Sequence, residues 1–192
     1  ASSATDSQGS DKDIREKLIK SGHVDVMISV ANNFFYTKSL PCSLWFFDKG
    51  KPDELRDKVL FIDARNYYTV VDRTLNEWNE WQLKNMNAIV WLYRGETDKY
   101  KALLKEYKSA LKEMISEADD DKWNVILDDV FVNGLEIAKQ YVKSLRESAK
   151  EAVEECDKRE KKKIQASWDE KISYAEEITE VVKEAHWLYS KF

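Results

Sequence analysis

The sequence predicts one edge of an α/β sheet followed by a mainly α-helical region built of long helices. Three observations point there. With 35% charged residues but only 5 Gly and 2 Pro in 192 residues, the chain favours long helices over tight turns. Three strand-like runs lie between His23 and Ala64. From Thr74 onward apolar residues recur at three- and four-residue steps instead. The expected division is residues 1–73 for the α/β part and residues 74–192 for the helical part. Helices are expected at about 74–94, 97–118, 122–158 and 160–190.

The elements follow in order. After a small, polar opening, ASSATDSQGS, the segment SDKDIREKLIKSG reads as a short amphipathic helix. Ser10 suits its N-cap, Asp11 and Asp13 its first turn, and Gly22 its stop, while Ile14, Leu18 and Ile19 share a face. In HVDVMISV, Val24, Val26, Ile28 and Val30 alternate against His23, Asp25, Met27 and Ser29, the pattern of a strand with one apolar face. SLPCSLWFF is nearly continuously apolar and is expected to be a strand buried on both faces, with Pro41 at its entry. A polar turn, DKGKPDELRD, leads to a third short strand, KVLFIDA. These strands are too few to complete an α/β sheet.

In the helical part, Leu75, Trp78, Leu83, Met86, Ile89, Val90 and Tyr93 fall near one face of the first helix. Thr97 caps the second, which ends before three consecutive aspartates. Two further stripes follow: Leu127, Phe131, Gly134, Ala138, Tyr141, Leu145, Ala152 and Cys156, then Trp168, Ile172, Ala175, Ile178, Val182, Ala185 and Tyr189. The charged run DKREKKKIQ separates them and is either a solvated helix surface or the bend between antiparallel helices. The stripes can pair with each other or offer a seam to a second protein.

Composition limits the chemistry. A net charge of −5 argues against a uniformly basic surface that coats nucleic acid or an anionic membrane, while leaving room for a local basic patch. Cys42 and Cys156 are isolated and read as free thiols in a reducing compartment. No apolar run approaches the length of a membrane span and no signal peptide opens the chain, so a soluble, cytoplasmic protein is expected. There is no Gly-rich phosphate loop, no HExxH and no Cys/His cluster, so no metal is expected. His23 and His186, the two histidines, read as surface or hydrogen-bonded core residues and not as catalytic bases.

The loop NNFFYTK, residues 32–38, is the exception. Loops at strand ends are where α/β proteins place ligand contacts. Phe34, Phe35 and Tyr36 offer flat faces, Asn32 and Asn33 hydrogen bonds and turn geometry, and Thr37 and Lys38 a hydroxyl and a cation for a phosphate. Two readings are open from the residues: a plug between sheet and helices, or a platform on which an unpaired base stacks.

The motif order carries a resemblance. The small polar segment Ala1–Ser7 is followed by the IREKLI helix, a strand, then Asn33, Phe35, Tyr36 and Pro41 in an N-x-F-Y…P hairpin, VLFIDAR (Val59–Arg65) and VDRT (Val71–Thr74). From Ala1 to about Trp91 this resembles the latter part of the catalytic domain of type I restriction-modification methyltransferase (M) subunits, the gamma-class adenine-specific DNA methyltransferases. EAHWLYSKF near the end also resembles a piece of that family. The fold so implied is the edge of a methyltransferase (Rossmann-like) sheet. That family binds S-adenosylmethionine at a Gly-containing loop and orients the target amino group with Asn-Pro-Pro-Phe/Tyr; this sequence contains neither. The resemblance therefore implies a piece cut at both ends and inactive alone.

It further implies that the target adenine is flipped out of the duplex and that an aromatic of the hairpin clamps it. By position that aromatic is Phe35 or Tyr36, with Phe35 favoured; Asn33 shapes the loop, and Thr37 and Lys38 touch the DNA backbone. The implied partners are DNA and the specificity and restriction subunits of the same system, with the seams Leu127–Cys156 and Trp168–Tyr189 as docking surface. The competing function is a helical interaction or scaffold protein with a small α/β cap and no catalytic role.

Overall fold

The computed structural model describes residues 10–35 and 39–192. They fall into two compact units, Ala1–Glu96 and Thr97–Phe192.

In the first unit, helix α1 (Ser10–Lys20) ends at Gly22, whose φ of +73° is the left-handed conformation a helix stop requires. Ile14, Leu18 and Ile19, which the sequence pattern groups on one face, stand exposed. Strand β1 (Val24–Val30) is the centre of a three-stranded sheet in the order β2-β1-β3, with β2 at Cys42–Phe47 and β3 at Leu60–Ala64. β2 runs antiparallel to β1, from Val30 opposite Cys42 to Val24 opposite Phe47, with an irregularity between Val24 and Val26. β3 runs parallel to β1, Val26 opposite Leu60 and Val30 opposite Ala64.

The expected burial of β2 on both faces is not observed. It pairs with β1 alone among the described residues, and Phe46 and Phe47 are exposed. An apolar strand is covered only where a second strand and a second layer exist, and the sheet supplies neither on that side.

The apolar face of β1 forms the core as expected: Val26, Ile28 and Val30 meet Ile62, Ala64 and Met86, with Ile89 and Val90 packed alongside. These last three residues lie on helix α2 (Glu80–Tyr93), so the first helix expected in the helical part packs with the sheet. It begins six residues later than expected. Residues 74–79 are taken up by a short hairpin of β4 (Thr69–Val70) and β5 (Asn76–Glu77), and Asp72 accepts the Thr74 amide and hydroxyl in the turn. The helix then starts at a capping box: Asn79 accepts the Gln82 amide at 2.8 Å and Gln82 Oε1 accepts the Asn79 amide at 3.1 Å.

The face of β1 read as polar hides a charge. Asp25 is 1% exposed, paired with Arg94 beyond the end of α2 and with Lys51 of the β2–β3 turn, whose Nζ lies 3.9 Å away. The Lys51 ammonium also donates to the Val24 carbonyl at 2.7 Å and to the Lys58 carbonyl. Tyr93 donates to that same Lys58 carbonyl at 3.1 Å. Strand, turn and helix end are thereby tied at one point.

The second unit holds α3 (Thr97–Ala118), α4 (Lys122–Asp128), α5 (Gly134–Glu155) and α6 (Lys161–Lys191). α3 has the expected bounds. The helix expected over 122–158 is instead two. Between them the Gly134 amide bonds the Asp129 carbonyl at 2.8 Å, and a Cβ at position 134 would lie 2.9 Å from that oxygen, so the sharp break requires glycine.

The charged run is the bend of a hairpin between α5 and α6. Their stripes bury one another through Ala138, Tyr141, Leu145 and Ala149 on one side and Ala175, Ile178, Val182 and Ala185 on the other. Much of the seam expected to be offered to a second protein is thus occupied within the chain. His186 lies part-buried and donates from Nδ1 to the Phe131 carbonyl at 3.0 Å, since a carbonyl can only accept. Cys42 and Cys156 are free thiols.

Candidate functional site

β1 and β3 run parallel, so their carboxyl ends open on the same edge of the sheet, the usual place for ligands in α/β proteins. Two segments emerge there, Asn32–Phe35 and Arg65–Tyr68. A third, Leu75–Trp78, braces the first. The Asn76 amide donates to the Asn33 carbonyl at 2.7 Å, and its side-chain Nδ2 donates to the Asn32 carbonyl at 2.9 Å. Asn76 is itself buried, so these bonds are shielded from water. Asn33 adopts φ of 61°, a left-handed turn that asparagine tolerates better than most residues.

That turn separates the aromatics. Phe34 goes inward, its ring 4.6 Å from Trp78 and edge-on to Tyr68 at 5.9 Å, and packs against the core. Phe35 goes outward and is 47% exposed. Phe34 thus plugs the sheet against its neighbours, while the ring of Phe35 is left open to solvent. Tyr36, Thr37 and Lys38 lie outside the described residues.

Beneath the loop a polar network fixes the brace. Trp78 Nε1 donates to the Tyr67 carbonyl at 2.7 Å, and the fully buried Asn85 donates to the Tyr67 hydroxyl at 2.8 Å. Asn76, Trp78 and Asn85 were not singled out by the sequence reading as site residues. One signal was present: Asn79 and Gln82 have the three-residue spacing of a capping box, which places the helix start and leaves Asn76 free to bond the loop.

At the end of β3, Arg65 closes a two-point bond on Asp63, Nε to Oδ1 at 2.8 Å and Nη2 to Oδ2 at 2.7 Å. These bonds, with the Arg65 amide, hold the Asp63 carboxyl down at about 2. A lowered carboxyl pKa means the pair persists above the ordinary value of 3.8 and is lost as pH falls through about 2. Carboxyl carbon NMR of Asp63 should place its midpoint there, and a midpoint near 4 would mean the pair does not form in solution.

Among the described residues the edge carries an exposed aromatic ring, hydrogen-bonding amides and a guanidinium paired with Asp63. No group of three His, Cys, Asp or Glu among the described residues is placed to hold a metal ion. No described helix is long and apolar enough to cross a membrane.

Comparison with known families decides what such an edge belongs to. The profile of the N-6 DNA Methylase family matches residues 3–144, running through the sheet and α2 to α4 and into α5. The chain belongs to the N-6 DNA methylase family. Three curated relatives are methylase subunits of type I restriction enzymes from Methanocaldococcus jannaschii. The MjaIX subunit is 39% identical over 74 residues, covering 38% of this chain and 13% of that protein. The MjaVIII subunit is 26% identical over 90 residues, 47% of this chain and 15% of its own length. The MjaVII subunit is 28% identical over 92 residues, with the same coverage of 47% and 15%. The match thus spans less than a sixth of the length of these relatives. No solved structure matches.

N-6 DNA methylases generally use S-adenosylmethionine. The described glycines do not form a cradle for it: Gly22 and Gly95 follow α1 and α2, Gly50 lies between β2 and β3, and Gly134 opens α5. None stands between a strand end and the helix that follows, where a cofactor's backbone contacts would need it. The described residues do not fit the cofactor.

Proposed function

We propose that this N-6 DNA methylase chain forms the target-base side of a type I modification subunit, the enzyme that methylates the exocyclic amino group of adenine in DNA. One observation carries the reading: Phe35 stands exposed on a loop anchored by Asn76, while its neighbour Phe34 is spent in the core. A flipped adenine needs a flat, pre-positioned face, and stacking on an aromatic is worth about 1–3 kcal/mol per base.

In this reading Phe35, with Tyr36 beside it, clamps the base and Asn33 sets the loop's turn. Thr37 and Lys38 meet the DNA backbone. S-adenosylmethionine and the catalytic groups are held by other parts of the subunit, so the chain alone is inactive. The helical unit makes the contacts to the specificity and restriction subunits. With the α5–α6 seam filled internally, those contacts fall on half-buried apolar residues such as Val153, Ile164 and Trp168. Membership of a DNA methylase family favours this function over a scaffold without a catalytic partner.

The test is Phe35→Ala in the complete subunit. Binding of a duplex carrying 2-aminopurine at the target adenine should weaken by about 1–3 kcal/mol, with S-adenosylmethionine affinity unchanged. Wild-type binding and methylation rates would sink the assignment.

A further inference from the structure

In the helical unit a cavity of about 510 Å³ opens between the carboxyl end of α3 and α6. That volume lies within the ~300–1,000 Å³ range of small-ligand and side-chain sites. Its floor is apolar and aromatic, made by the buried Trp123 and Leu145. Its rim is acidic: Glu117, Asp120 and Glu170 stand around the mouth.

The lining holds three carboxylates against one ammonium, that of Lys171. The last carbonyls of α3 face this end, and a helix carboxyl terminus favours cations. Tyr174, on the wall, donates to Glu117 at 2.7 Å. Its phenol is pushed up to about 12 by burial, then by Glu117, Glu177 and Glu113. The chain's own Lys171 already touches the rim, its ammonium 3.2 Å from Asp120, which shows the kind of group the rim accepts. Glu170 is exposed and has no hydrogen bond or ion pair among the described residues, so one carboxylate remains unneutralised.

We propose that this cavity seats the guanidinium of an arginine side chain presented by a partner protein. Arginine fits the parts that a guest can reach: a flat cation for the half-buried Tyr174 ring and several donors for the carboxylates. A side chain from another protein is favoured over a free small cation because Glu117 and Glu170 are both exposed and leave the mouth open. Free ligands are usually enclosed over roughly 70–90% of their surface.

The inference does not depend on base stacking at Phe35. Titrating the 192-residue chain with N-acetyl-arginine amide should shift the NMR signals of the Trp123 indole and the Tyr174 ring. The neutral isostere N-acetyl-citrulline amide should leave them in place. Glu170→Gln, which disturbs no internal contact, and Glu117→Gln should each weaken the arginine response about two- to fivefold. Equal responses to arginine and citrulline, or unchanged affinity in both variants, overturn the proposal. Tighter binding of spermidine than of the blocked arginine overturns it too, by making the occupant a free polyamine.

Discussion

Asp25→Ala should destabilise the sheet unit by about 3–5 kcal/mol, the usual consequence of removing one partner from a buried ion pair. The magnitude comes from what stays behind. Lys51 has a side chain only 2% exposed, and without the carboxylate its charge keeps only the carbonyls of Val24 and Lys58. Arg94 is 39% exposed and can turn to water, so its loss of a partner costs little. Lys51→Met in the Asp25→Ala background should therefore recover much of the loss, since it removes the stranded charge. Hydrogen exchange at the amides of β1 and β3 gives the cleanest reading, because two compact units need not unfold together. A loss under about 1 kcal/mol would mean the two carbonyls satisfy Lys51 unaided.

Phe34→Ala should cost about 3 kcal/mol of stability, the lower end of what removing a core phenylalanine costs, because the ring is half-buried. Its contacts with Trp78 and Tyr68 join the loop to the brace beneath it. Phe35→Ala should shift stability by no more than about 0.5 kcal/mol, as surface substitutions commonly do. Neighbouring residues of the same type are thus expected to separate folding from binding. Thermal unfolding of the two variants side by side is the measurement, and equal losses would mean that both rings pack inward.

Much of the fold was legible because its signals are local. The alternation of Val24, Val26, Ile28 and Val30 gave the central strand, and Thr97–Ala118 carried its own helical period. What was not legible depends on partners distant in sequence. Asp25 sits at a polar position of an alternating strand, and its burial follows from Lys51 and Arg94, which no period reveals. The break after Asp128 turns on Gly134, which also fits a helical stripe; only the approach of the Asp129 carbonyl shows why glycine is needed. At the site, sequence placed the aromatic loop, but which ring turns outward follows from the left-handed Asn33 and its bond to Asn76, forty-odd residues away.

β2 has a further consequence for the chain as a material. Among the described residues its outer edge pairs with no strand, and Phe46 and Phe47 on it are exposed by 47% and 51%. Such an edge is a template for another strand, whichever protein brings it. Self-association of the isolated chain, if it runs through this strip of sheet, would rest on backbone pairing and apolar contact, which added salt relieves less than it relieves charge–charge attraction.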